Sequence, residues 1–206
     1  HDTSNASTWQ VADINSGTGS SKPGDYMSIL VGDTLYFSAD DGSSGWELWA
    51  HDTSNASTWR VADIWSGASN SNPGVEFVML VGDTLYFSAW DGSSGIELWA
   101  HDTSNASTWR VTDIATCCGS SPGNYMSILI GDTLYFSAND GSSGQELWAH
   151  RPSTIDYNTN TGGAVTSWAI NASLPSGVSF GTNNGTIYGT PTELWTQTSY
   201  MVWANN

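Results

Sequence analysis

Basic residues are nearly missing from this chain. Lys22, Arg60, Arg110 and Arg151 stand against twenty acidic residues, giving a formal charge of −16 over 206 residues. Phosphate backbones are gripped by a basic footprint, so nucleic acid is excluded as a partner. The same sign of charge disfavours an anionic membrane surface. Cysteine is confined to one adjacent pair, Cys117-Cys118. No apolar run approaches the roughly twenty residues that a membrane-spanning helix requires, so membrane insertion is not expected. No stretch shows helical periodicity either. Acidity at low total charge suits a solvated protein, and an extracellular or cell-surface location is the expectation.

What the chain has instead is repetition. The nonapeptide HDTSNASTW occurs at 1–9, 51–59 and 101–109, and each copy opens a nearly unchanged unit of about fifty residues. The units run 1–50, 51–100 and 101–149, and they differ mainly in one Gly-, Ser-, Asn- and Pro-rich stretch that reads as a loop. A fixed period of this size means one supersecondary unit copied in tandem, each copy burying its neighbour's apolar face. It also argues against a single catalytic constellation.

Each unit holds four strand candidates. In the second unit they are 57–64 (STWRVADI), 76–81 (EFVMLV), 83–89 (DTLYFSA) and 96–102 (IELWAHD). The last two alternate, with Leu85, Phe87 and Ala89 opposing Thr84, Tyr86 and Ser88, and with Ile96, Leu98 and Ala100 opposing Glu97, Trp99 and His101. Gly82-Asp83, Asp91–Gly95 and Thr103–Ala106 are turn sequences. Four short strands in about fifty residues is the size of one β-propeller blade. The fold expected is therefore all-β, with propeller-like blades of four antiparallel strands over residues 1–150.

Three motifs carry a resemblance to a family. Glu-Leu-Trp recurs at 47–49, 97–99 and 146–148, Val-x-Asp-Ile at 11–14, 61–64 and 111–114, and Leu-Tyr-Phe-Ser-Ala-x-Asp-Gly at 35–42, 85–92 and 134–141. This pattern resembles the ELWxxDGT-type tandem repeats of secreted bacterial and archaeal proteins, although Asp52-Thr53-Ser54 replaces the usual Asp-Gly-Thr. The resemblance implies a propeller-like stack and no enzymatic activity. Closure of a propeller usually takes four to eight blades. The first HDTSNASTW also lacks the ELWA that precedes the other two, so upstream repeats, or other copies of the chain, are expected as partners.

Beyond Arg151-Pro152 the repeat stops. Leu174-Pro175-Ser176-Gly177, Gly185-Thr186-Ile187 and Gly189-Thr190-Pro191-Thr192 resemble the LPxGLxxxxxTGxIxGTPT hallmark of Ig-like modules in secreted prokaryotic proteins. The resemblance implies a small Ig-like β-sandwich over about 151–206, with Trp168, Ile170, Val178, Phe180, Ile187 and Tyr188 as core or strand positions. About fifty-five residues is short for such a sandwich, so an incomplete module is expected.

Candidate sites follow from residue type. Asp41 and Glu47, Asp91 and Glu97, and Asp140 and Glu146 flank a Gly-Ser-Ser-Gly turn whose oxygens could take calcium, the one cofactor considered. The alternative is a plain Asp-Gly hairpin with Glu facing water. His51-Asp52 with Ser54 reads as a hydrogen-bonded turn, because a hydrolytic triad requires convergence with an oxyanion hole. Trp49, Trp99 and Trp148 read as blade-to-blade packing. Trp65, Trp90 and Trp46, at positions that vary between copies, are the ligand-binding candidates, with glycans as the ligand. Asn5, Asn55, Asn105, Asn171 and Asn184 begin glycosylation sequons. Cys117 and Cys118 form either a vicinal disulfide, which secretion would permit, or two surface thiols.

The function expected is a non-enzymatic extracellular repeat protein with a structural or adhesive role at a microbial surface, within a larger assembly or filament. The alternatives are a carbohydrate-binding module using loop tryptophans and the accessory domain of a secreted hydrolase.

Overall fold

In a computed structural model the chain forms two compact units, His1–Ser153 and Thr154–Asn206. The structure describes residues 7–116, 118–152, 166–170, 173–183, 185–193 and 202–205. Among these residues every regular element is a strand, and no helix is long and apolar enough to cross a membrane.

The first unit contains three antiparallel sheets in simple up-and-down order. Sheet one is β1 (Ser28–Val31), β2 (Thr34–Asp40), β3 (Trp46–Asp52) and β4 (Ser57–Ala62). Sheet two repeats it as β5 (Val78–Val81), β6 (Thr84–Trp90), β7 (Ile96–Asp102) and β8 (Ser107–Arg110). Sheet three has β9 (Ser127–Ile130), β10 (Thr133–Asn139) and β11 (Gln145–His150). The folded unit is thus offset from the copied one: three strands come from one copy and the fourth from the opening of the next. The cause is the turn in HDTSNASTW. Asp52 accepts from the Ser54 amide and hydroxyl (2.8 and 2.6 Å) and from the Asn55 side-chain amide (2.7 Å), and Ala56 takes a left-handed φ of 58°. That turn folds β3 back onto β4, so the repeat boundary lies within a hairpin.

Consecutive sheets stack face to face. Tyr36, Leu48, Ala50 and Met27 of sheet one bury against Leu85, Phe87 and Ala89 of sheet two. Phe77, Tyr86, Leu98 and Ala100 on the opposite face of sheet two bury against Leu134, Phe136 and Ala138 of sheet three. The middle sheet is therefore covered on both sides, and every residue from Thr84 to Ala89 is buried. This explains why its alternation is not apolar against polar: with neighbours on both faces, both must be compatible with burial. Small residues set the close approach. Met27 packs over Gly74 and Phe77 over Gly123, both glycines at φ 80°, where a Cβ would collide with the neighbouring side chain. No comparable cluster joins sheet three back to sheet one among the described residues.

The second unit is built from two ladders. β12 (Ser167–Ile170) pairs with β15 (Val202–Asn205), and β13 (Val178–Phe180) pairs with β14 (Ile187–Gly189). The Trp168 amide donates to the Thr182 carbonyl (2.7 Å), tying the two ladders together. Trp168, Ile170, Val178 and Phe180 are partly buried. Ile187 and Tyr188 take strand positions in β14 and are exposed.

Candidate functional site

The hairpin turns between the second and third strands of each sheet lie at one end of the strands, and the residues that vary between copies gather around them. In sheet two, Trp90 ends β6 directly before Asp91-Gly92, and Trp65 packs over Gly92. Their rings meet at 4.9 Å and 45°. Trp90 remains exposed and Trp65 half-buried. In sheet one, Trp46 opens β3 and takes Tyr26 edge-on at 4.9 Å, with Lys22 Nζ 6.0 Å from its ring. The variable positions thus form two aromatic clusters, Trp65 with Trp90 and Trp46 with Tyr26. Trp59 and Trp109 do not stand out in the sequence, yet they lie exposed on the outer strands β4 and β8, opposite Ala50 and Ala100. Their signal is nonetheless present there: a Trp in a frozen repeat that faces only a small residue across the ladder.

The turn aspartates are committed to their own loops. Asp41 accepts from the Ser43 and Ser44 amides (2.8 and 2.7 Å) and from both hydroxyls. Partial burial pushes its carboxyl up, but these donors outweigh it and hold it at about 2. Asp140 is held at about 2 by the Ser143 and Ser142 amides. Asp91 also accepts from Arg110 (3.0 Å), as Asp41 faces Arg60 at 4.0 Å, bracing the turn to the outer strand.

Glu47 and Glu97 do not face water, contrary to the hairpin reading. Both are fully buried. Glu47 accepts from the Ile64 amide (2.7 Å), the Trp65 and Ser71 amides (3.4 and 3.3 Å) and the Ser71 hydroxyl (2.8 Å). Glu97 accepts from the Ile114 and Ser120 amides (3.1 and 2.9 Å) and the Ser120 hydroxyl (2.7 Å). Each is a staple from one sheet into the loop leading to the next. Desolvation pushes Glu47 up to about 7 and raises Glu97 in the same direction, while the amide donors pull both down. Asp41 and Glu47, proposed to share one calcium ion, therefore serve different partners, as do Asp91 and Glu97. Among the described residues no group of three or more His, Cys, Asp or Glu side chains is placed to hold a metal ion. Glu146, the third member of the series, is exposed.

His51 Nδ1 pairs with the Thr58 hydroxyl at 2.8 Å, and His101 repeats this with Thr108. Asp52 and Ser54 are bonded to each other within the turn, so His51, Asp52 and Ser54 form no relay. Trp99 packs against the core between sheets one and two, and Trp148 against that between sheets two and three. Asn55 and Asn105 are exposed, with their amide nitrogens donating to Asp52 and Asp102 (2.7 and 2.8 Å). Cys118 is disulfide-bonded. Cys117, Asn5, Asn171 and Asn184 lie outside the described residues.

The front of sheet one carries an apolar hollow of about 440 Å³, lined by Val11, Ile14, Leu35, Phe37 and His51 among others.

No curated protein matches the chain. Residues 134–206 match the family model described as "Putative Ig domain", a span that begins within β10 and covers roughly a third of the chain. The C-terminal segment, whose regular elements are all strands among the described residues, is an Ig-like module in its similarity to that family.

Proposed function

We propose that this chain is a non-enzymatic structural or adhesive repeat protein of an extracellular or cell-surface setting, with propeller-type blades over residues 1–150 and an Ig-like module over 151–206. One observation carries this reading. The repeated Glu-Leu-Trp-Ala-His segment, the most chemically varied part of the unit, is spent on joining sheets: Glu staples a loop, Leu and Ala fill a core, Trp packs on the adjoining sheet, and His contacts the neighbouring sheet's Tyr. The Ig-like match supports the same reading, and the motifs by which the repeats resemble ELWxxDGT proteins agree with it. Antibody labelling of intact producing cells tests the setting. Surface signal without permeabilisation is expected, and signal only after permeabilisation overturns it.

A second reading has its own observation. Trp65 and Trp90 meet at 4.9 Å beside a turn, with Trp90 38 % exposed, which offers an aromatic platform for sugar rings. On a glycan array, binding that Trp90→Ala abolishes would favour a carbohydrate-binding module.

A further inference from the structure

The joint between sheets is built from the same parts twice. A Met or Phe knob sits on a glycine: Met27 on Gly74, Phe77 on Gly123. A tyrosine meets a histidine: Tyr36 with His101 at 5.3 Å, Tyr86 with His150 at 5.2 Å. A buried leucine fills the centre, Leu48 and then Leu98. A buried glutamate takes the isoleucine and serine amides of the next loop, Glu47 from Ile64 and Ser71, Glu97 from Ile114 and Ser120.

Two faces that no other sheet covers among the described residues each present one half of this joint. The back of sheet three holds Met126, Tyr135 and Leu147 at the knob, tyrosine and leucine positions, and Glu146 stands at the glutamate position near the start of β11. Met126 is 41 % exposed where Met27 and Phe77 are 3 % and 7 %, and Leu147 is 65 % exposed where Leu48 and Leu98 are 0 %. The front of sheet one holds the receiving half: Gly24, His51, Ile14 and Ser21 at the positions of Gly74, His101, Ile64 and Ser71. The apolar hollow opens there, and Val11 and Ile14 line it with Leu35 and Phe37 as Val61 and Ile64 pack beside Leu85 and Phe87.

We propose that the back of sheet three in one molecule docks on the front of sheet one in a second copy of this chain, reproducing the joint that links consecutive sheets within the molecule. The two faces are different and complementary, so the contact is head-to-tail. It closes into a ring where the rotation permits and otherwise extends as a filament. Met126 would seat on Gly24, Tyr135 on His51, and Glu146 would accept from the amides of Ile14 and Ser21. The net charge of −16 opposes this contact at low ionic strength, so association strengthens as salt is added. The inference deepens the structural reading above and rests on it, but cell labelling and association can fail independently.

Sedimentation velocity on the full chain tests it, across a concentration series at moderate salt. The wild type is expected to form dimers or a longer series. Leu147→Glu on the back and Val11→Glu on the front each replace an already exposed side chain, so both variants keep the melting temperature that the wild type shows when diluted to the monomer. Each alone is expected to weaken association by more than about tenfold. Mixed one to one, they retain one intact pair of faces and recover a heterodimer. A wild type that stays monomeric throughout overturns the proposal. So does association that neither variant weakens, or a mixture that fails to recover.

Discussion

A glutamate in three copies of one repeat has two different fates. Glu47 and Glu97 are buried and satisfied by three and two backbone amides, respectively, plus a hydroxyl each, whereas Glu146 is exposed. Removing a buried acceptor orphans its donors at about 1–3 kcal/mol each, while surface substitutions stay within about 0.5 kcal/mol. Glu97→Ala is therefore expected to cost about 2 kcal/mol or more and Glu146→Ala almost nothing, read by urea denaturation of the monomeric chain. Titration adds a second test. The Glu47 carboxyl rises from 4.5 to about 7 on folding, so the folded state holds its proton more tightly than the unfolded chain. Its contribution is full below about pH 4.5 and is lost as pH rises through about 7. His101 and His150, held down by burial, act in the opposite direction within that window. The difference between wild type and Glu47→Gln isolates the glutamate: across that window the wild type should lose stability relative to the variant. None of this was legible in the sequence. Alternation placed Glu97 with Trp99 and His101, but its partners are 17 and 23 residues away and reach it only through the stacking of sheets. Trp65 and Trp90 were found by their variation, while their mutual contact depends on both flanking Gly92.

At the scale of elements, the strands themselves were legible. β6 and β7 fall on the alternating segments 83–89 and 96–102, and the Gly- and Asp-rich breaks between them are turns, because hairpin formation is a local matter of turn chemistry and period. The pairing across Asp52–Ser57 was missed as a sheet boundary, since a repeat read from its first residue hides a hairpin that spans the join. Which face is buried depends on what lies beyond the sheet, and the three leucines of Glu-Leu-Trp make that measurable. Leu98→Ala empties a site closed by sheet three and is expected to cost about 2–5 kcal/mol. Leu147→Ala, at the same position but exposed, is expected to cost less than about 1 kcal/mol in the monomer. Gly74→Ala should exceed Gly24→Ala: both sites have φ near 80°, but only at Gly74 would a Cβ strike a side chain of another sheet, that of Met27.

For the whole molecule, stability runs along a line of neighbours rather than through one centre. Each sheet is held by the sheets beside it, as in other tandem-repeat proteins. The faces that no other sheet covers among the described residues are therefore the weak points for folding and the available points for association, and the same residues mark both. Amide hydrogen exchange measures this most directly, on Leu147→Glu so that association does not mask the ends. The amides of Ile64, Ser71, Ile114 and Ser120, which donate to buried Glu47 and Glu97, are expected to exchange slowly. Those of Ile14 and Ser21, at the same positions in the first copy but with no glutamate acceptor among the described residues, are expected to exchange orders of magnitude faster. Equal protection in all three copies, or fast exchange in all of them, would contradict the stacking of sheets on which the fold, the function and the assembly all depend.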